Sequence, residues 1–153
     1  MTFIAGQIIS QGYPHTARPL PKETGTGKGI LRGQVVTIDP STHLCRVAIA
    51  GDKKPFGIAI KAAAEADAQI LDVLMKPGFE GTVTANGVIQ PYTYVAADTG
   101  GTVKAWVHDP NTPTTDADDY RVGLYIGTEG HLDGHTPAIA SALNDVIVIR
   151  RVE

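Results

Sequence analysis

A single glycine interrupts a short apolar run at two places in the chain, in residues 54–60 and again in residues 120–126. The two glycines are Gly57 and Gly123. Glycine weakens an ordinary strand, but it suits a bulge or a position where another backbone comes very close. Its recurrence in the same setting predicts that both are structural glycines, belonging to one structural feature that is used twice.

The segments that flank these glycines repeat as well. Residues 35–39 with Leu44 resemble residues 94–98 with Val103, at a constant offset of 59 positions. A third pair of apolar segments, residues 70–73 and 146–149, is 76 positions apart. The offset is constant within each repeated segment and grows from one segment to the next. Loop insertions between the strands of the second copy would produce this pattern. The pattern therefore predicts two similar three-strand units that share one core.

Turn residues and local composition predict the remaining elements. Asp39-Pro40 and Gly100-Gly101 fall between apolar runs and indicate hairpins, and Asn86-Gly87 indicates a third hairpin within residues 82–89. Alanine-rich residues 61–68 and residues 138–143 after Thr136-Pro137 predict short helices. The second unit contains two insertions, at residues 107–119 and 127–144.

Length and composition favour one compact domain of the mainly β class. With 153 residues, 42% of them hydrophobic, the chain is long enough for a single core of ordinary size. Seventeen glycines and ten prolines among short β-branched runs favour turns and strands over long helices. We therefore predict one β-rich domain over residues 30–153.

Residues 1–29 differ from this body and predict an extended N-terminal arm. Five glycines and three prolines interrupt every apolar run, and three basic residues stand against one acidic residue, whereas the rest of the chain has ten basic and fifteen acidic residues. A frayed terminus is the alternative. Apolar groups are uncommon in a purely solvated tail, so we favour a docked arm. Its candidate binding residues are Phe3, Ile4, Ile8, Ile9, Tyr13, Arg18, Lys22 and Lys28.

Charge, cysteine content and hydropathy narrow the expected partners. A net charge of −3 does not suit a chain that binds nucleic acid through bulk charge. No apolar run approaches the roughly 20 residues that span a bilayer, and the first residues lack the pattern of a secretion signal. Cys45 is the lone cysteine and is expected to be a small core residue. We expect no nucleic acid or membrane partner and synthesis in the cytoplasm.

Three segments suggest chemistry that their details do not support. Residues 25–29 resemble a phosphate-binding loop, but Lys22 and Gly29 replace its first glycine and its hydroxyl residue. A calcium site or a transition-metal site is conceivable. The first lacks the EF-hand pattern, and the second is in a glycine-rich loop that offers few ordered groups to orient the metal ligands. The sequence contains no recognisable catalytic constellation, so we predict neither an enzyme nor a cofactor. The conceivable metal ligands are Asp109, Asn111, Asp116, Asp118 and Asp119 for calcium, and His131, Asp133 and His135 for a transition metal.

The succession of residues 33–36, 54–59 and 69–73, with its looser repeat through Val148, resembles the capsid cement, or head decoration, proteins of tailed phages. This resemblance covers about residues 30–150. It implies a small β-barrel or β-clip domain that assembles as homotrimers on the outer surface of an icosahedral head. The implied function is to stabilise the shell by bridging subunits of the major capsid protein, in the virion.

Two other functions remain open at the level of sequence. The chain could be a tail or baseplate component of the same kind of virus, which would differ from a cement protein in copy number. It could also be a trimeric β-clip enzyme or small-ligand-binding protein with a site between subunits. Fold analogy alone does not supply a function, and no acidic or serine motif at a recognisable spacing supports the enzyme.

Overall fold

A computed structural model describes residues 3–7, 19–52, 57–71, 73–74, 77–107, 121–128, 132 and 135–152 of the chain. Within these residues the secondary structure is β-strand apart from one 3-10 turn, so the predicted mainly β class is confirmed. No helix in this part of the chain is long and apolar enough to cross a membrane. The strands are β1 (Leu20–Pro21), β2 (Val35–Ile38), β3 (Cys45–Val47), β4 (Gly57–Ala59), β5 (Gln69–Ile70), β6 (Val73–Leu74), β7 (Glu80–Thr84), β8 (Tyr94–Ala97), β9 (Val103–Ala105), β10 (Gly123–Gly127) and β11 (Val146–Arg151).

The two units predicted from the repeat form two sheets with the same strand order. One sheet has the order β3-β2-β4-β6, and the other has the matching order β9-β8-β10-β11, with β7 added beside β11. The register agrees as well: Gly57 pairs with Val36 in one sheet, and Gly123 pairs with Val95 in the other. The repeat therefore extends to strand pairing, and each of the two similar units has four matching strands where the sequence predicted three.

Gly57 and Gly123 occupy equivalent positions where a neighbouring strand passes very close. A side chain at Gly57 would begin 2.6 Å from the carbonyl oxygen of Leu74, and one at Gly123 would begin 2.6 Å from that of Arg150. Leu74 and Arg150 are 76 positions apart, which is the offset of the third repeated segment. Of the two settings considered for these glycines, the structure has the close backbone approach.

The four-stranded sheet is covered on both of its faces. Successive residues of its strands alternate between two apolar clusters: Val35 and Ile58 belong to the larger cluster, while Val36 and Ala59 belong to the smaller one. The larger cluster lies between the two main sheets and includes Val83, Tyr125 and Ile147 from the second. The smaller one is closed by Ile30 and Ala63 and by Ile70 of β5. This double burial explains why β2, β4 and β6 are apolar at consecutive positions.

Residues 19–29, which the sequence assigns to the arm, contact the body at several points. Strand β1 pairs with β5, and Lys22 forms a bridge with Cys45 at the edge of β3. Gly25 N donates to the carbonyl of Glu65 (3.0 Å). The arm as a whole stays a prediction, and these contacts show that its C-terminal part packs on the body in this structure.

Several local predictions were wrong, and each has a tertiary cause. Residues 61–68 form no helix, because Ala63 exchanges both main-chain hydrogen bonds with Ile30 (2.8 Å each). Residues 138–143 form none either, because Ser141 N donates to the carbonyl of Ile89 (2.9 Å). The turn at Asn86-Gly87 exists, but β7 pairs with β11 rather than with the residues after the turn. The described sheets also stay open and form no barrel.

Candidate functional site

The N-terminal segment, residues 3–7, is held against β7, which is an edge strand of its sheet. Gly6 N donates to the carbonyl of Thr82 (2.8 Å), and Thr82 N donates to the carbonyl of Gln7 (3.0 Å). The Thr82 hydroxyl accepts from Gln7 N (2.7 Å) and donates to the carbonyl of Ile4 (2.5 Å). One threonine therefore binds the main chain of the segment at three of its five residues.

Two glycines allow this segment to lie in close contact with the body. A side chain at Gly6 would begin 2.6 Å from Gly33 N, and one at Gly33 would begin 2.8 Å from Gly6 N. Both residues have positive φ angles, +80° and +89°, which also favour glycine. Arg32 Nε donates to the carbonyl of Gly6 (3.4 Å). The residues that receive the segment, named here the Thr82 socket, are Arg32, Gly33, Ala59 and Thr82.

The structure describes some of the predicted attachment residues of the arm and not others. Phe3 is half-buried and Ile4 is 55% exposed at the Thr82 socket. Ile8, Ile9, Tyr13 and Arg18 lie outside the described residues. The capsid-binding role of all these residues stays a prediction.

Lys22 and Lys28, the two basic residues at the end of the predicted arm, have different environments. Lys22 is 2% exposed, and its ammonium donates to the carbonyls of Glu23 (2.5 Å) and Lys28 (2.9 Å). The side chain of Lys28 is 46% exposed and pairs with Glu23 (2.8 Å). Only Lys28 therefore presents its charge at the surface, while Lys22 fastens residues 22–28 into a compact loop.

Four large apolar residues are exposed on residues 86–92 and 139–144, two segments joined by hydrogen bonds, and are named here the apolar patch. Its members are more than 60% exposed: Val88, Tyr92, Ile139 and Leu143. The two segments are held together beneath the patch by the buried Ser141, whose hydroxyl accepts from Ile89 N and donates to the carbonyl of Gly87, both at 2.9 Å. The Tyr125 hydroxyl donates to the carbonyl of Ile139 (2.8 Å). Part of the predicted insertion at 127–144 is thus fixed to the body.

Ser141→Ala is expected to lower the free energy of unfolding by about 2 kcal/mol, because a buried amide and a carbonyl lose their partner. Chemical denaturation of the two proteins measures the difference. Ser41→Ala is the matched control: Ser41 is exposed in a hairpin turn, and its change should stay within about 0.5 kcal/mol. Equal effects at both positions would show that the Ser141 hydroxyl does not hold the two segments.

A cluster of two aromatic rings and one guanidinium lies at the end of the second unit. Trp106 packs edge-on against Tyr94, with ring centroids 6.0 Å apart. The Arg121 guanidinium lies 4.2 Å from the centroid of Tyr94 and 5.5 Å from that of Trp106. Trp106 is half-buried in this cluster.

The structure describes the glycine-rich loop but only part of the segments considered for metal binding. Gly27 N donates to a carboxylate oxygen of Glu65 (2.9 Å), so an acidic group already binds an amide of the glycine-rich loop. His135 is exposed, whereas His131, Asp133 and the whole conceivable calcium set lie outside the described residues. Within the described residues, no three potential metal ligands cluster.

Cys45 is fully buried in the smaller apolar cluster, as predicted. Burial raises the pKa of its thiol to about 11, since the thiolate would lose its hydration. At neutral pH the side chain is therefore a neutral core group rather than a reactive nucleophile.

Sequence reasoning did not find the Thr82 socket or the apolar patch. Gly6 and Gly33 are each a possible signal of a close approach, but a lone glycine does not identify its contact partner. The patch residues are on segments about 50 positions apart in the chain, which are joined by the hydrogen bonds of Ser141 to Gly87 and Ile89. Neither feature has a local sequence pattern.

Comparison with known proteins finds a likeness of fold among solved structures. No protein-family model matches the chain, and no curated protein matches it. Among solved structures, the fold is similar to the N base of the head fiber protein gp8.5 of bacteriophage phi29, with a TM-score of 0.54. The alignment covers 89% of this chain and 98% of that one, at 13% sequence identity. At this identity the likeness shows a shared fold.

Proposed function

We propose that this chain is a structural protein of a phage virion and is attached to the head. The observation that carries the proposal is the fold shared with the N base of a head fiber over 98% of that N base chain. It agrees with the independent resemblance of residues 30–150 to head decoration proteins. Both likenesses are to proteins of a phage head, which supports a structural role in the virion.

The finer proposal is that the chain cements the shell as a homotrimer on the outer capsid surface, bridging subunits of the major capsid protein. The exposed patch of Val88, Tyr92, Ile139 and Leu143 supports it, since a protein of this kind needs adhesive surfaces. Contacts that are weak individually add up when many copies bind a symmetric shell. In this role the chain needs no cofactor, nucleic acid or membrane.

The likeness to a head fiber base favours a second candidate, in which the chain is the mount of a fiber. The two candidates share a location and differ in what extends from the head. An electron cryomicroscopy map of the particle would show density flush with the shell for a cement protein, and a projection from each site for a fiber base.

Copy number in purified particles tests the proposal. Quantitative mass spectrometry against the major capsid protein should give a ratio near one to one for a lattice of cement trimers. A ratio of a few per cent would instead indicate a tail component. Absence from particles would overturn the virion role and favour an enzyme or a ligand-binding protein.

Deletion of residues 2–18 should weaken binding to the shell while the body stays folded. The cut precedes β1, because residues 19–29 pack on the body and a deletion through residue 29 would also remove Lys22. Sedimentation of truncated and full-length protein with undecorated shells measures binding, and circular dichroism monitors the fold. Unchanged binding by the folded truncated protein would rule out an attaching arm.

A further inference from the structure

We propose that the Thr82 socket is a junction between copies of this chain, in which the N-terminal segment of one copy fills the socket of another. This inference rests on the proposed function, because a protein that binds a symmetric shell is present there in many adjacent copies. The partner is identified by the structure itself, because the socket already binds residues 3–7 of the same sequence. A second copy brings an identical segment.

The segment is held largely through its main chain. Only Gly6 of its five residues is fully buried, Phe3 is half-buried, and Ile4 is 55% exposed. The contacts include the hydrogen bonds to Thr82 and Arg32 and the close packing of Gly6 on Gly33. Segments with few buried apolar groups open at low free energy compared with the core.

The socket nevertheless recognises this segment specifically. The N–H, the C=O and the hydroxyl of Thr82 each bind the segment. The glycine pair admits the segment only where neither Gly6 nor Gly33 has a side chain. The socket also takes residues from both main sheets, with Ala59 in β4 and Thr82 in β7. Weak retention of a specifically recognised segment is the combination that exchange requires.

The connection between the segment and the body is long enough to reach a neighbour. Residues 8–18 are eleven residues, and at about 3.5 Å per residue they span at most roughly 40 Å when extended. Exchange of an identical element between identical copies is a low-cost route to association.

The balance between the closed and exchanged forms depends on concentration, because both forms make the same contacts. A tether of this length holds the segment at an effective concentration on the order of millimolar beside its own socket. A dilute chain therefore stays closed. Copies that lie side by side on a surface reach comparable local concentrations. The socket of a neighbouring copy then competes equally with the segment's own socket for binding residues 3–7.

A complementation experiment with full-length chains removes the competition from the closed form. Gly6→Val puts a side chain into the segment and leaves the socket intact, whereas Gly33→Val blocks the socket and leaves the segment intact. The two variants are mixed at about 1 mM, with one of them labelled with nitrogen-15, and examined by native mass spectrometry. We expect mixed-isotope dimers in the mixture and monomers in each variant alone. Monomers in the mixture as well, with both variants folded, would overturn the proposal.

A second measurement keeps the test valid if either variant fails to fold. Nitrogen-15 chains with a photoreactive phenylalanine analogue at the exposed Ile4 position are mixed with unlabelled wild-type chains and irradiated. We expect cross-links from labelled segments to unlabelled β7 peptides, rising from few at micromolar to a large fraction near millimolar concentration. Cross-links confined to labelled chains at every concentration would overturn the proposal. Because this test uses pure protein, its failure leaves the copy-number test of the proposed function untouched.

Discussion

Gly123→Ala and Gly57→Ala are each expected to lower the free energy of unfolding by about 3 kcal/mol. The added methyl group would begin 2.6 Å from a carbonyl oxygen of the neighbouring strand at either site, so that strand must move. Overpacking of a well-packed site costs about 1–3 kcal/mol and occasionally more, and here the obstacle is backbone rather than a flexible side chain. In a chain of this size the melting temperature should fall by roughly 6–12 °C.

Gly29→Ala is the matched control for both substitutions. A side chain there would begin 3.4 Å from its nearest neighbour, which is the flexible side chain of Glu65. Its effect should stay within about 0.5 kcal/mol. Because the two units are equivalent, alanine at Gly57 and alanine at Gly123 should lower the free energy of unfolding by similar amounts. A tolerated alanine at either glycine would contradict the close approach of the strands at that site.

The central part of the fold could be predicted from the sequence, because the repeat relates strands that are far apart in the chain. Equivalent spacing around Gly57 and Gly123 implied equivalent neighbours, and the structure gives them Val36 and Val95 with the spacing of the first repeated segment. Hairpins at Asp39 and Gly100 were predicted because short turns have local signatures: Ile38 pairs with Cys45, and Ala97 pairs with Val103.

The incorrect predictions concern segments whose partners are distant in sequence. Ala63 belongs to an alanine-rich stretch with helical propensity, but Ile30 takes both of its main-chain groups. Strand β7 was expected to pair with residues just after Asn86-Gly87, but β11 binds it along five consecutive positions. Tertiary pairing outweighs a propensity that is worth only tenths of a kcal/mol per residue. No local pattern predicts such partners.

The candidate attachment site was predictable only in part. The composition of residues 1–29 identified a segment that differs from the body, but it could not separate the packed Lys22 from residues that face solvent. A lysine is ordinarily exposed, and its burial here depends on two carbonyl groups that the chain supplies by folding back on itself.

Lys22→Met is expected to lower the free energy of unfolding by about 2–3 kcal/mol, although the side chain keeps its length. The ammonium donates to the carbonyls of Glu23 and Lys28, and hydrogen bonds to charged groups contribute about 1.5–3 kcal/mol, partly offset by the cost of burying the charge. Without that donor the two carbonyl groups lose their shared partner inside the loop of residues 22–28.

Lys28→Met is the matched control, because it removes the same charge from the same loop. Lys28 is 46% exposed, and its ion pair with Glu23 should contribute no more than about 1 kcal/mol. Urea denaturation and shell binding of both variants separate structural from adhesive roles. We expect Lys22→Met to affect stability and Lys28→Met to affect binding. If Lys22→Met leaves stability unchanged and weakens binding, the ammonium acts at the capsid surface and not inside this loop.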